Sequence, residues 1–344
     1  MVLKQLKGGK NKMSDQTTIP FDEQVATPEE EMIPKVITHE ASSVLTIDGK
    51  LVAEGILMKP NFTIALSESN KRYLDQYEVI TDYVGADPEL WEKFGVPEEK
   101  RGEVMLIKNI DLFPLDFIVS GYDKFGSKKQ LSAPEIVCVL KEEGTAISRE
   151  EAIKVLADWF HDNDYCIDCY DEMMAFDSVE EAIAYVELSP EDLQYGEGLN
   201  PDDEWEKLEG ASLHLLATLY VDELVLRSNI IYSLLAKRYE ECGVILVDTR
   251  LAFGLDEECD ITLCEEVGTP DESTLASKML YEKDGELTDM LAAPVLKYFE
   301  SIAYAGEKGS QVPDVPSDVL DEVSDTCMYM AESLCDDLSF DINL

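Results

Sequence analysis

The stretch from Leu213 to Tyr239 constrains this chain most. Leu216, Leu219, Tyr220, Leu224 and Ile231 are among its apolar positions, and their spacing predicts a long helix. Gly243 stops it, as a glycine just past a helix end commonly does. Val244-Ile-Leu-Val follows at once, and four apolar β-formers after a breaker read as a buried strand. A turn and a second strand, Ile261 to Cys264, come next. Upstream, Val104-Met-Leu-Ile-Lys and Asp116-Phe-Ile-Val-Ser flank Pro114 as two strands joined by a short connection. Ile153, Leu156, Ala157 and Phe160 share one helical face, and Glu180 to Val186 suggests another short helix. Short β-type runs fill Lys35 to Leu66, with a turn at Asp48-Gly49, and residues 70 to 100 are mixed. Near the end, Val319, Val323, Cys327, Met330 and Leu334 predict an amphipathic helix over Ser317 to Leu338, capped by Ser317 behind Pro316. Helices and strands alternate irregularly and no repeat is visible, so the fold class is α+β.

At 344 residues with 45% apolar content the chain can bury a sizeable core, as one large domain or two lobes. Its formal net charge is −45, from 28 basic and 73 acidic residues. A field of that sign repels phosphate backbones and anionic headgroups, and no basic stripe is interleaved with aromatics. Nucleic acid and membrane surfaces are therefore not expected as partners. The acidity serves solubility or high salt, or else a protein partner. No stretch approaches the ~20 apolar residues that span a bilayer. The basic opening, Met1 to Lys10, lacks the apolar run of a signal peptide, and Met13 is an alternative start. Residues 1 to 33 read as a polar, partly acidic tail. Residues 188 to 210, with Pro190, Gly196, Gly198 and Pro201, read as a long surface connection.

Eight cysteines in a chain of this length point to reduced thiols in a cytoplasmic protein rather than to a disulfide scaffold. Cys166 and Cys169 form a Cys-x-x-Cys close to His161, but no second pair completes the four ligands of a structural zinc. His39 and His214 stand alone, and no nucleophile–base arrangement stands out.

Three segments, in order, resemble the SAICAR synthetase family. Residues 95–122, GVPEEKRGEVMLIKNIDLFPLDFIVSGY, are similar to the family stretch from "LRGRSMLVKK" through "FPIEFVVRGY", followed by a Gly-Ser pair, here Gly126 and Ser127. Residues 243–254, GVILVDTRLAFG, are similar to "GIIIADTKFEFG", and residues 263–274, LCEEVGTPDEST, to "LIDEVLTPDSSR". Residues 315–324, VPSDVLDEVS, resemble the start of the closing helix. The middle segment is the specific one, because both halves match at the right spacing.

The resemblance implies a two-lobed, ATP-grasp-like α+β architecture. Residues 34–140 would form a β-rich nucleotide-lobe-like region, and 141–344 an α+β lobe with an atypical acidic segment at about 158–210. It implies ATP and Mg2+ as cofactors, a nucleotide-like ligand, and activation of a carboxylate as an acyl phosphate for attack by the aspartate amine. A protein partner is the alternative for a non-catalytic homologue. The chemistry needs metal-binding carboxylates and cationic phosphate clamps. By resemblance Asp248, Arg250 and Asp271 are the catalytic candidates, Ser127 and Ser273 the substrate-binding ones, and Lys141, Glu265 and Glu266 the cofactor-binding ones, with Glu265 also on the metal.

Other positions depart from the family. Arg250 replaces a lysine, and Glu265 lengthens an aspartate by one methylene. Ala252 stands where a glutamate serves the nucleotide–metal site, while Ser120 and Thr274 stand where arginines bind substrate phosphate. Losing both arginines removes roughly 3–6 kcal/mol of charge-assisted contact. Arg250, Lys128 or Lys129 could replace a missing clamp. The spacing from Ser120 to Gly126 is one residue longer than in the family. A "GHDENIS"-like stretch is missing after Lys141, and Asp48-Gly-Lys-Leu is the nearest counterpart of a glycine- and lysine-rich nucleotide loop. Without the resemblance, Asp248 and Asp271 read equally as turn or cap residues at strand ends.

Overall fold

The computed structural model describes residues 36–335 except 41–44, 48–49, 54–55, 57–58, 86–87, 102, 125, 164–203 and 305–311. The expected tail, the helix at Glu180 to Val186, the Asp48-Gly49 turn, and Cys166 and Cys169 lie outside the described residues. The chain divides into two units, 35–159 with 216–344, and 1–34 with 160–215. In the second, the described residues belong mainly to the ends of two helices that begin or finish in the first.

Eleven strands are described, in three sheets. β1 (Val36–Glu40), β5 (Val104–Lys108) and β4 (Tyr83–Gly85) form an antiparallel sheet in that order. β2 (Leu45–Ile47) and β3 (Lys50–Ala53) pair antiparallel as a separate ribbon. The largest sheet runs β10 (Ile261–Cys264), β9 (Val244–Leu255), β6 (Asp111–Tyr122), β7 (Gln130–Leu140), β8 (Ala146–Ile147). β11 (Ser273–Ser277) pairs with the first half of β9, on the edge whose second half takes β10. The expected strand at 244–247 is thus twelve residues long and runs straight on through Asp248, Arg250 and Ala252.

Pro114 does not separate two strands, as the sequence suggested. It lies inside β6, where Phe113, Pro114 and Leu115 bulge against Phe253 and the register shifts between Leu112 and Asp116. A proline has no ladder N–H to offer, so a bulge accommodates it in a strand paired on both edges.

The helices are α1 (Lys59–Asp75), α2 (Pro88–Lys93), α3 (Arg149–Asp162), α4 (Glu204–Glu241), α5 (Lys278–Asp284), α6 (Ala292–Ser301) and α7 (Ser317–Leu334). α1 overturns the reading of β-type runs up to Leu66. Phe62, Thr63, Ile64, Ala65, Leu66 and Ser67 are all buried, so this first half of the helix is enclosed on every side and carries no amphipathic period. α4 starts within the expected surface connection. Its first turns are rich in helix formers, and buried Gly210 costs only about 1 kcal/mol there. In α7 the N-cap is Pro316 and no side chain caps the helix, so Ser317 is its first residue rather than its cap. Val323, Cys327, Met330 and Leu334 are buried along one face, as their spacing predicts.

β9 and β6 have two unlike faces. Phe117, Val119, Leu251 and Phe253 are buried, and the rings of Phe117 and Phe253 meet edge-on at 5.9 Å. Phe113 packs edge-on against Trp159 of α3 and Tyr220 of α4. Strand period two turns Asp116, Ile118 and Ser120 the other way, beside Asp248, Arg250 and Ala252. That second face carries the candidate site.

Candidate functional site

Arg250 and Asp116 sit diagonally on neighbouring strands, since Arg250 pairs with Ile118 and Asp116 with Ala252. Arg250 Nε donates to Asp116 Oδ2 at 2.7 Å, and Nη2 donates to the same oxygen. Nη2 also reaches the Lys141 carbonyl at 3.1 Å. Lys141, just past β7, places Nζ 3.4 Å from Asp116 Oδ1 and 2.8 Å from Glu265 Oε1. Asp116 is fully buried, so both its oxygens are spent on these two cations. Burial alone would lower the basicity of Arg250, but Asp116, Glu272 and Glu265 outweigh it and hold the guanidinium above its usual range.

The connection from β10 to β11 supplies the acidic side of the cluster. Its backbone is pinned from two helices: Asn70 Nδ2 donates to Val267 O at 2.7 Å, and Tyr239 Oη to Gly268 O at 2.6 Å. Gly268 has φ +68, and an added Cβ would lie 2.8 Å from Asn70 Nδ2 and 2.9 Å from Tyr239 Oη. Glu265 itself has φ +61, uncommon for a residue with a Cβ. Its N–H is held by Asp82 Oδ2 at 3.0 Å, and Asp82 is held in turn by buried Lys71 at 2.5 Å. Glu266 is buried and accepts from Thr269 Oγ1 at 2.8 Å. Glu272 lies 4.0 Å from Arg250 Nε. Burial pushes its carboxyl up to about 7; Arg250 pulls it down, and Glu266, Glu265 and Asp116 push it up again.

Two further ion pairs flank this cluster. Asp271 receives Lys59 Nζ on both oxygens, at 2.5 and 2.6 Å. Burial raises the Asp271 carboxyl, only partly offset by Lys59. Asp248 accepts the Thr274 N–H at 3.2 Å, and Lys124 Nζ lies 3.3 Å from its other oxygen. Lys124 also donates to Thr274 Oγ1 at 2.8 Å.

Asp248, Arg250, Lys141, Glu265 and Asp271 are thus carried by β9 and its neighbouring turns, in three ion-paired groups rather than one. Ser273 spends its hydroxyl on Thr249 Oγ1, at 2.8 Å in the buried layer. Ser127 and Gly126 give their N–H groups to Asp123, at 2.6 and 2.8 Å. Lys128 pairs with Glu286. His161 has Asp162 at 3.3 Å. Sequence reasoning missed Asp116, Lys59, Lys124 and Glu272. A lone aspartate within an apolar strand run was a usable signal for the first; the others carried none.

The residues present do not fit a resident Mg2+. That ion demands a near-octahedral set of oxygens. Ala252 offers none, the Asp116 oxygens are taken, and Glu265 is paired to Lys141. Among the described residues no three His, Cys, Asp or Glu side chains gather as a metal would need. No helix among them is long and apolar enough to cross a membrane.

This α+β arrangement is the SAICAR synthetase fold. A SAICAR-synthase from Saccharomyces cerevisiae, solved as its complex with SAICAR, superposes with a TM-score of 0.57 at 18% identity, over 87% of this chain and 89% of that one. The profile of the SAICAR synthetase family matches residues 193–296. Phosphoribosylaminoimidazole-succinocarboxamide synthase of Corynebacterium urealyticum is 29% identical over 232 residues, 66% of this chain and 65% of that protein. The Corynebacterium ammoniagenes protein of the same name is 28% identical over 181 residues, 52% and 48% of the two chains. The matches therefore span from about half to just under two thirds of these relatives' length. In fold, and in sequence over part of its length, the chain is similar to the SAICAR synthetase family.

Proposed function

We propose that this protein is a SAICAR synthetase-like protein that binds a nucleotide on the polar face of β9. Its ability to join aspartate to carboxyaminoimidazole ribotide, the ATP-dependent ligation of its family, is weakened by altered substrate and metal contacts. The carrying observation is the set of charged groups on that face: Asp116, Lys141, Arg250, Glu265 and Glu272 in one network, with Asp248 and Asp271 beside it. A side chain such as Arg250, half-exposed and held in one orientation by a buried carboxylate, is suited to meet a phosphate. Ser120 and Thr274, in place of two arginines, remove phosphate contacts worth roughly 3–6 kcal/mol, at least a hundredfold in ribotide affinity. Lys124, at 2.8 Å from Thr274, returns one cation to that neighbourhood and favours residual activity.

A second reading is a non-catalytic homologue serving as a ligand- or protein-binding scaffold. The internal pairing favours it, because Asp248, Glu265 and Asp271 each already face a lysine. The deciding assay is SAICAR formation from ATP, Mg2+, aspartate and the carboxylated ribotide at high protein concentration. Slow turnover that disappears in Asp271→Asn supports the first reading. Folded protein that binds ADP but makes no product supports the second.

A further inference from the structure

Asp116 and Glu265 are carboxylates on this face that share one side-chain cation, and a second lies beside them. Lys141 Nζ bridges Asp116 Oδ1 and Glu265 Oε1, and Arg250 closes Asp116 Oδ2 through two nitrogens. Two fixed monocations carry the charge of one divalent ion. An entering Mg2+ would have to displace both from a fully buried carboxylate, and it sheds its own water reluctantly. Ala252, on the same face beside Arg250, contributes a methyl group where an oxygen would be needed. The cations themselves are not sealed off: the side chains of Arg250 and Lys141 are 35% and 23% exposed. Arg250 Nη1 keeps no partner among the described residues, and Lys141 Nζ has a third proton beyond its two carboxylate contacts.

We propose that Lys141 and Arg250 together take the place of a divalent cation on this face. The free protein then holds no Mg2+ here, and a nucleotide's phosphate chain is met directly by the exposed sides of the two residues. The phosphate half of this inference rests on the nucleotide-binding reading above; the metal half does not.

Mn2+ binding followed by electron paramagnetic resonance tests the metal half. The many surface carboxylates give the same weak background in every variant, so only a difference in tight sites counts. Wild type should show no tight site that depends on Glu265, and Lys141→Met/Arg250→Met, which frees Asp116 and Glu265, should gain one. A tight wild-type site that Glu265→Gln removes would overturn the proposal, whether or not the double variant folds. An unchanged count of tight sites in the folded double variant would overturn it as well. Calorimetry with ADP tests the other half on wild-type protein. The affinity should differ by less than about threefold between millimolar Mg2+ and EDTA, and weakening beyond about tenfold in EDTA would refute it. ADP that binds under neither condition sinks the nucleotide reading together with the phosphate half, while the Mn2+ titration still decides the metal half.

Discussion

Glu272 is the carboxyl on which stability should depend most visibly. Its pKa, about 7 in the folded protein against an ordinary 4.5, means that the native state keeps a proton the unfolded chain has released. That preference stabilises the fold fully below pH 4.5 and is lost as pH rises through 7. Glu272→Gln keeps the shape and removes the titration, so the variant should gain on wild type by about 1.4 kcal/mol per pH unit across this interval. Measurements should stay above the sequence pI of about 4.1, where solubility is poor. From pH ~5.5 to ~8 the expected gain is about 2 kcal/mol, or about 1.5 after allowing for solvent screening of a side chain that is 29% exposed. Urea unfolding followed by tryptophan fluorescence at the two pH values reads it directly. A variant-minus-wild-type difference that is the same at both, or that falls with pH, would show that Glu272 ionises normally and that the crowding around Arg250 is not felt.

Lys59→Met should leave Asp271 largely buried without its cation. Because Asp271 keeps 27% of its side chain exposed, the cost belongs at the lower end for a broken buried pair, about 3 kcal/mol. The midpoint of thermal unfolding, followed by circular dichroism, should then fall by roughly 4–6 °C, and a fall of under about 1 °C would refute the assignment. Gly268→Ala should cost at least about 2 kcal/mol. Its φ is positive, and Asn70 and Tyr239, which the new methyl would strike, are buried and committed to holding the same turn. A melting temperature equal to wild type would mean that the 265–272 connection is not pinned as described.

Much of the fold was legible locally. The strand at Val104–Lys108, the helix around residues 149–160, the strand at Ile261–Cys264 and the buried face of the last helix follow from local residue pattern alone. The two helices each keep one face in the core and one outside it, so their period survives in the sequence, while the two strands are buried on both faces and show as short unbroken runs of β-formers. α1 was not legible for the opposite reason. Its first half, enclosed on all sides, has no exposed face to mark a helical period, and Phe62, Ile64 and Leu66 imitate a strand. Pro114 misled because the rule against proline in strands holds for regular ladders, and the bulge opposite Phe253 appears only once β6 and β9 are paired.

The site divides along the same line. Legible before folding are the charged residues the chain carries, the strand spacing from Asp248 to Arg250, and the missing charge at Ala252, Ser120 and Thr274, where the resemblance would put one. Those are properties of single positions and of short-range period. Which charge neutralises which follows from the folded chain. Lys59 reaches Asp271 across 212 residues, Arg250 reaches Asp116 across 134, and Lys124 reaches Asp248 beside Thr274, itself 150 residues away. A charge acts through distance in space, and that distance is set by which strands become neighbours. The same glutamate is therefore an open ligand in one fold and, like Glu265 against Lys141, one half of an ion pair in another.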